Sequence, residues 1–117
     1  MITGFSKETG ALSPDELKLS EIILNRFKTK YNDKKFAVKQ AEIIKRMREK
    51  KFDITGPRLR KIFNYLRSNG NPIIATSSGC YYSNDIDEIL MQVESLRDRQ
   101  RALDGPISGL EKLLNQI

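Results

Sequence analysis

Between Thr55 and Ser83 the chain passes from a capped amphipathic helix into a β-hairpin with almost no connecting segment, and this adjacency limits the possible folds more than any other feature. Thr55-Gly56-Pro57 supplies a cap residue and a proline near the first turn. Leu59, Ile62, Phe63 and Leu66 then share one face at the 3.6-residue period. The helix is expected to end near Ser68-Asn69-Gly70, where glycine takes the left-handed conformation common just past a C-terminus. Pro72-Ile73-Ile74-Ala75-Thr76 and Cys80-Tyr81-Tyr82-Ser83 are β-prone runs joined by Ser77-Ser78-Gly79, the pattern of a hairpin.

Two further helices are expected upstream. Ser13-Pro14-Asp15-Glu16 forms a capping box with proline at the first helical position. From there Leu17, Ile22 or Ile23, Leu24 and Phe27 recur at roughly helical spacing up to about Tyr31. Asn32 to Lys35 reads as a turn, and Phe36-Ala37-Val38 as a short β-tolerant run that pairs with a later strand. A second helix is expected from about Lys39 to Lys50, with Ala41, Ile44 and Met47 as its buried stripe. Residues 1–12, with Gly4 and Gly10 and no hydrophobic period, read as a flexible lead-in. A length of 117 residues suits one core with one appended element. The expected fold is therefore mostly α with a small β-hairpin, an α+β arrangement, with one domain over 13–83 and a helical segment over 84–117.

Charge is distributed unevenly along this framework. Residues 26–67 hold fifteen Lys and Arg against four acids, a local balance of +11, whereas residues 1–25 stand at −2 and residues 68–117 at −3. The overall +6 is thus concentrated in the middle third, as expected of a chain that neutralises phosphates. There is no histidine and one cysteine, Cys80, so an intramolecular disulfide is impossible and a zinc site would lack its usual ligands. The same shortage rules out Cys-His and Ser-His-Asp catalysis, and no glycine-rich phosphate loop is present. The sequence therefore predicts no enzyme, no cofactor and no metal. With no apolar run near membrane length and no secretory pattern, a cytoplasmic location is expected, nucleoid-associated if the source is bacterial or phage.

The order helix, short strand, helix, turn, helix, hairpin resembles that of winged helix-turn-helix proteins. In particular, "ITGPRLRKIFNYLRSNGNPIIATSSGCYYS" looks like their recognition helix, wing strands and wing turn. The resemblance covers roughly residues 13–90. The glycine-tyrosine wing is also similar to that of small phage and mobile-element DNA-binding proteins. The resemblance implies that the helix over about 55–69 enters the major groove of double-stranded DNA. Arg58, Arg60, Lys61 and Asn64 are then the donors able to reach base edges. Lys39, Lys45, Arg46, Lys50 and Lys51 would meet phosphates, and the wing tip Thr76-Ser77-Ser78 would touch backbone or minor groove. The wing tip lacks arginine, a departure from wings that read the minor groove. Tyr81 and Tyr82 alternate along a strand, so they are expected on opposite faces, one toward the core and the other toward solvent, with packing as the expected role of both.

A second signal lies in the last third. Asn84 is expected to cap a final helix, with Asp85, Asp87 and Glu88 at its positive end. Ile86, Ile89, Val93, Leu96, Gln100, Leu103, Ile107, Leu110, Leu114 and Ile117 keep an unbroken 3-4 spacing, the pattern of a coiled-coil seam. Gly105-Pro106 should kink or break the helix. The seam is expected to pair with a second copy, giving a homodimer that reads a palindromic site; the alternative is docking on the chain's own first helix. The expected function is sequence-specific DNA binding, as a transcriptional regulator or an accessory factor in replication or recombination. The alternative is a protein adaptor that uses the winged helix and the C-terminal helix.

Overall fold

The computed structural model describes residues 10–116. The chain divides after Asn84 into two compact units. The first contains α1 (Pro14–Thr29), a 3-10 turn (Lys34–Phe36), α2 (Gln40–Glu49), α3 (Gly56–Ser68), β1 (Ile73–Thr76) and β2 (Gly79–Tyr82). The second contains α4 (Ile86–Ala102) and α5 (Asp104–Gln116). The fold is mostly helical with one two-stranded antiparallel hairpin. Of the expected lead-in, residues 1–9 lie outside the described residues, as does Ile117.

Local chemistry sets the helix boundaries. The Ser13 hydroxyl accepts from the Glu16 amide at 3.2 Å and the Glu16 carboxylate accepts from the Ser13 amide at 2.9 Å, a complete capping box on α1. Thr55 caps α3 by accepting from the Arg58 amide. Both α2 and α3 stop in the same way. The residue after the C-cap takes positive φ, and the next amide reaches back five residues, from Phe52 to Met47 at 3.0 Å and from Asn71 to Leu66 at 2.9 Å. At α3 the left-handed residue is the expected glycine, Gly70, with φ 82°; at α2 it is Lys51, with φ 67°.

Leu59, Ile62, Phe63 and Leu66 of α3 are buried as the periodicity predicts, and they meet Leu19, Ile23 and Phe27 of α1 in one core. Phe27 and Phe63 meet edge to face at a centroid separation of 5.6 Å. On α1 and α2 the expected stripes are buried only in part, at Ile23, Phe27 and Met47. On α1 the buried face is Glu16, Leu19, Ser20, Ile23 and Phe27, while Leu17 and Ile22 are exposed and Leu24 is half-buried. On α2 the buried pair is Ile43 and Met47, with Ile44 half-buried and Ala41 exposed. In both helices two apolar residues stand side by side, and each choice of phase fits the 3.6 period about equally well.

The hairpin pairs Ile73 with Tyr82, Ile74 with Tyr81 and Ala75 with Cys80. The short run before α2 joins it as expected: Val38 and Cys80 exchange amide and carbonyl bonds of 2.9 and 2.7 Å. Gly79 makes this approach possible, because a Cβ there would sit 2.8 Å from the Val38 carbonyl carbon. Neither tyrosine faces solvent. Tyr82 packs on the core side and Tyr81 is 2% exposed on the reverse face of the strand.

In the second unit the N-cap is Asp85 and not Asn84; its carboxylate accepts from the Glu88 amide at 3.1 Å. The helix breaks at Leu103, two residues before Gly105-Pro106. Pro106 has no amide to offer the Ala102 carbonyl four residues back, which places the interruption one turn upstream of the ring. No helix among the described residues is long and apolar enough to cross a membrane.

Candidate nucleic-acid interface

On α3 the buried quartet turns Pro57, Arg60, Lys61, Asn64 and Ser68 away from the core. The four residues expected to read bases do not behave alike. Lys61 is drawn back along the helix flank, where its Nζ donates to Glu16 Oε1 at 3.0 Å, and its side chain is 14% exposed. Arg58 Nε donates to Glu16 Oε2 at 3.3 Å, while its Nη1 meets the Asp53 carbonyl at 2.9 Å and carboxylate at 3.1 Å. Lys61 is thus engaged beside Glu16, and Arg58, about a third exposed, is shared between Glu16 and Asp53, so two of the four expected base-reading donors have partners within the chain.

Glu16 is the hub of this arrangement. Its side chain is 5% exposed and its two oxygens serve the α1 cap, Lys61 and Arg58 at once. Burial by itself pushes the carboxyl up, but the Ser13 amide, Lys61 and Arg58 outweigh it and bring it down to about 2. A buried carboxylate with this many donors is held far more firmly than one in a surface ion pair. In the sequence Glu16 stands out only as a capping residue. The missed signal was its spacing of three, seven and eleven residues from Leu19, Ile23 and Phe27, which sets an acid in the apolar stripe.

Arg60 remains exposed, and its guanidinium folds over the first turn of α3, 3.2 Å from where a Gly56 Cβ would stand. Asn64 is half-buried on the same side. The wing tip Thr76, Ser77 and Ser78 is exposed, with the Thr76 hydroxyl accepting from the Ser78 amide at 3.1 Å.

The group expected to meet phosphates also separates. Arg46 is tied down, with Nε on Glu42 at 2.9 Å and Nη1 on the Tyr31 hydroxyl at 2.6 Å. Lys39, Lys45, Lys50 and Lys51 are all exposed and make no ion pair among the described residues. Lys39 occupies the N-cap position of α2 without a side-chain cap, Lys45 stands opposite the helix's buried pair, and Lys50 and Lys51 form the turn toward α3. Residues 13–83 carry a net charge of +9. Two further arginines support the frame: Arg48 donates to the Ile54 carbonyl at 3.1 Å and Arg67 to the Ile73 carbonyl at 2.9 Å.

An apolar cleft of about 280 Å³ opens between α1 and α2, floored by Ile23, Phe27, Ile43 and Met47 and edged by Arg26, Arg46, Lys50 and one acid, Glu49. Cys80 is buried, and its thiol is pushed up by that burial, with nearby Arg67 opposing the shift. Among the described residues no group of three His, Cys, Asp or Glu is placed to hold a metal ion. Of the expected seam, Ile86, Val93, Leu96, Gln100 and Leu103 are exposed and Ile89 is half-buried. Comparison with known protein families, with curated proteins and with solved structures returned no match.

Proposed function

We propose that residues 13–83 form a winged helix-turn-helix unit that binds double-stranded DNA inside the cell by occupancy, as a transcriptional regulator or an accessory factor in replication or recombination. The observation that carries this reading is the set of four exposed lysines, Lys39, Lys45, Lys50 and Lys51, left without acidic partners around α2 and its turn into α3. Phosphates would supply the missing charge, and α3 would be presented by its N-terminal half, with Arg60 and Asn64 as the base-contacting candidates. Arg58 and Lys61 hold α3 in place against α1 and contribute to recognition only through that.

A salt titration of duplex binding by the full chain tests this. Each phosphate neutralised contributes about 0.9 to the slope of log affinity against log salt. Replacing the four lysines by alanine is expected to flatten the slope by about 3 to 4. Negligible duplex binding at low salt, or an unchanged slope, refutes the assignment. One observation favours a second reading: the apolar, base-edged cleft between α1 and α2 suits a protein adaptor that takes an acidic amphipathic helix. That function predicts little duplex binding at any salt.

A further inference from the structure

The second unit has an unfinished surface. Ile86, Leu103, Leu110 and Leu114 are each more than half exposed, and no residue of α5 is buried. Helices of 17 and 13 residues that keep their apolar faces in water are marginal on their own, because helical stability in proteins comes mainly from packing such a face. The exposed positions also lie in one seam. The 3-4 spacing runs through Leu96, Gln100, Leu103 and Ile107 without a change of phase. At the break Leu103 stays in the right-handed helical region, with φ −81° and ψ −18°, and its carbonyl accepts from the Ile107 amide at 3.1 Å. The interruption bends the path but keeps the helical phase, so one seam serves both helices.

We propose that this seam is covered by the same seam of a second copy of the chain, with the two strands parallel and in register at Gln100. Charge complementarity supports self-pairing. In the parallel register, the g position of one strand meets the e position five residues on in the other. Arg99, which makes no ion pair among the described residues, then faces Asp104 of the partner copy. The flanking pair Pro106 with Glu111 brings no like charges together, and Gln92, the position that would flank Arg97, is buried within its own chain. A fully overlapped antiparallel pair would also set opposite charges together, Arg97 against Asp104, so charge alone does not choose the direction. Gln100 does. In parallel strands its side-chain amide meets its own copy, which can both donate and accept, whereas in antiparallel strands it would be pressed against Leu103 and left without a partner. The pairing is independent of the DNA reading, since none of these residues belongs to the basic unit.

The test uses the full chain. Sedimentation equilibrium is expected to give twice the chain mass, and Leu96→Glu is expected to return it to the single-chain mass. Thermal melting of that variant should keep the transition of the first unit, which separates loss of pairing from loss of folding. Ile86→Cys, oxidised in a thiol redox buffer, is expected to give a covalent dimer through the two introduced cysteines, because Cys80 is buried. A single-chain mass for the unaltered protein, or a mass of three or more copies, overturns the proposal. So does a dimer in which Ile86→Cys fails to cross-link with itself, or one in which Ile89→Cys cross-links with Leu114→Cys, the pair that antiparallel strands would oppose.

Discussion

Glu16→Gln isolates one charge within the hub that joins α1 to α3. Glutamine has nearly the same shape and also completes a capping box, so the change leaves the α1 cap in place while it removes the negative charge and turns one of the two acceptor oxygens into a donor. Lowering the carboxyl from an ordinary 4.5 to about 2 corresponds to about 3 kcal/mol of preferential stabilisation of the folded state, at 1.36 kcal/mol per unit. Glu16 itself is nearly inaccessible but lies close to the surface, with Arg58 about a third exposed, so screening by solvent reduces this figure, and glutamine retains some hydrogen bonding. The expected loss at neutral pH is about 1–3 kcal/mol, and about 2 kcal/mol would lower the melting temperature by about 8–16 °C in a domain this size. The sign of the pH dependence follows from the direction of the shift. A depressed folded value means that the stabilisation is complete above about 4.5 and is lost as pH falls toward about 2. Urea unfolding of both proteins at a series of pH values is the assay. The difference between them should be constant at neutral pH and shrink to near zero at the acid end. Equal stabilities at neutral pH, or a gap that persists unchanged to the lowest pH, would show that Glu16 does not hold Lys61 and Arg58 as ions.

Gly79→Ala should be costly, because φ 131° is strained for any side chain and the new Cβ would lie 2.8 Å from Val38 backbone; a loss of about 1–3 kcal/mol from strain alone is expected in chemical denaturation. Thr55→Ala removes the α3 cap and is expected to cost about 1 kcal/mol by the same measurement. Cys80 should react with a thiol reagent at neutral pH only as fast as the first unit opens, since burial both shields the thiol and raises it; rapid labelling of the native protein would contradict its placement. Lys51→Gly should stabilise the chain by about 0.5–1 kcal/mol while weakening duplex binding, and a glycine variant that binds as well as the original would remove Lys51 from the phosphate-facing set.

The parts of this molecule that were legible in its sequence are those governed by local rules. Capping at Ser13 and Thr55, the α3 quartet, the left-handed Gly70 and the hairpin turn each depend on residues within a few positions of one another. What escaped was decided by long-range packing. The phase of α1 and α2 depends on which of two adjacent apolar residues the other helices cover, and Glu16 meets Arg58 and Lys61 across 42 and 45 positions. A helical wheel shows that Lys61 leaves the apolar face of α3; it does not show that a second helix brings a carboxylate to that flank.

The contrast between Lys51 and Gly70 bears on what the basic surface is for. α2 and α3 end in the same motif, with the amide two residues past the C-cap bonded five positions back, and each requires one residue at positive φ. Glycine fills that place at Gly70 without strain, whereas the β-carbon of Lys51 crowds its own carbonyl at a cost of about 1–2 kcal/mol. A residue held in an unfavourable conformation where a better one exists points to a role outside folding. Here the side chain is a cation, exposed, beside Lys50 at the turn that leads into α3. Arg58 and Lys61, a few residues on, are meanwhile withdrawn onto Glu16. The structure thus spends two cations on orienting the helix and retains strain to keep another at the surface, the division expected if phosphate contacts set the register and a rigidly held α3 is presented to whatever lies beneath it.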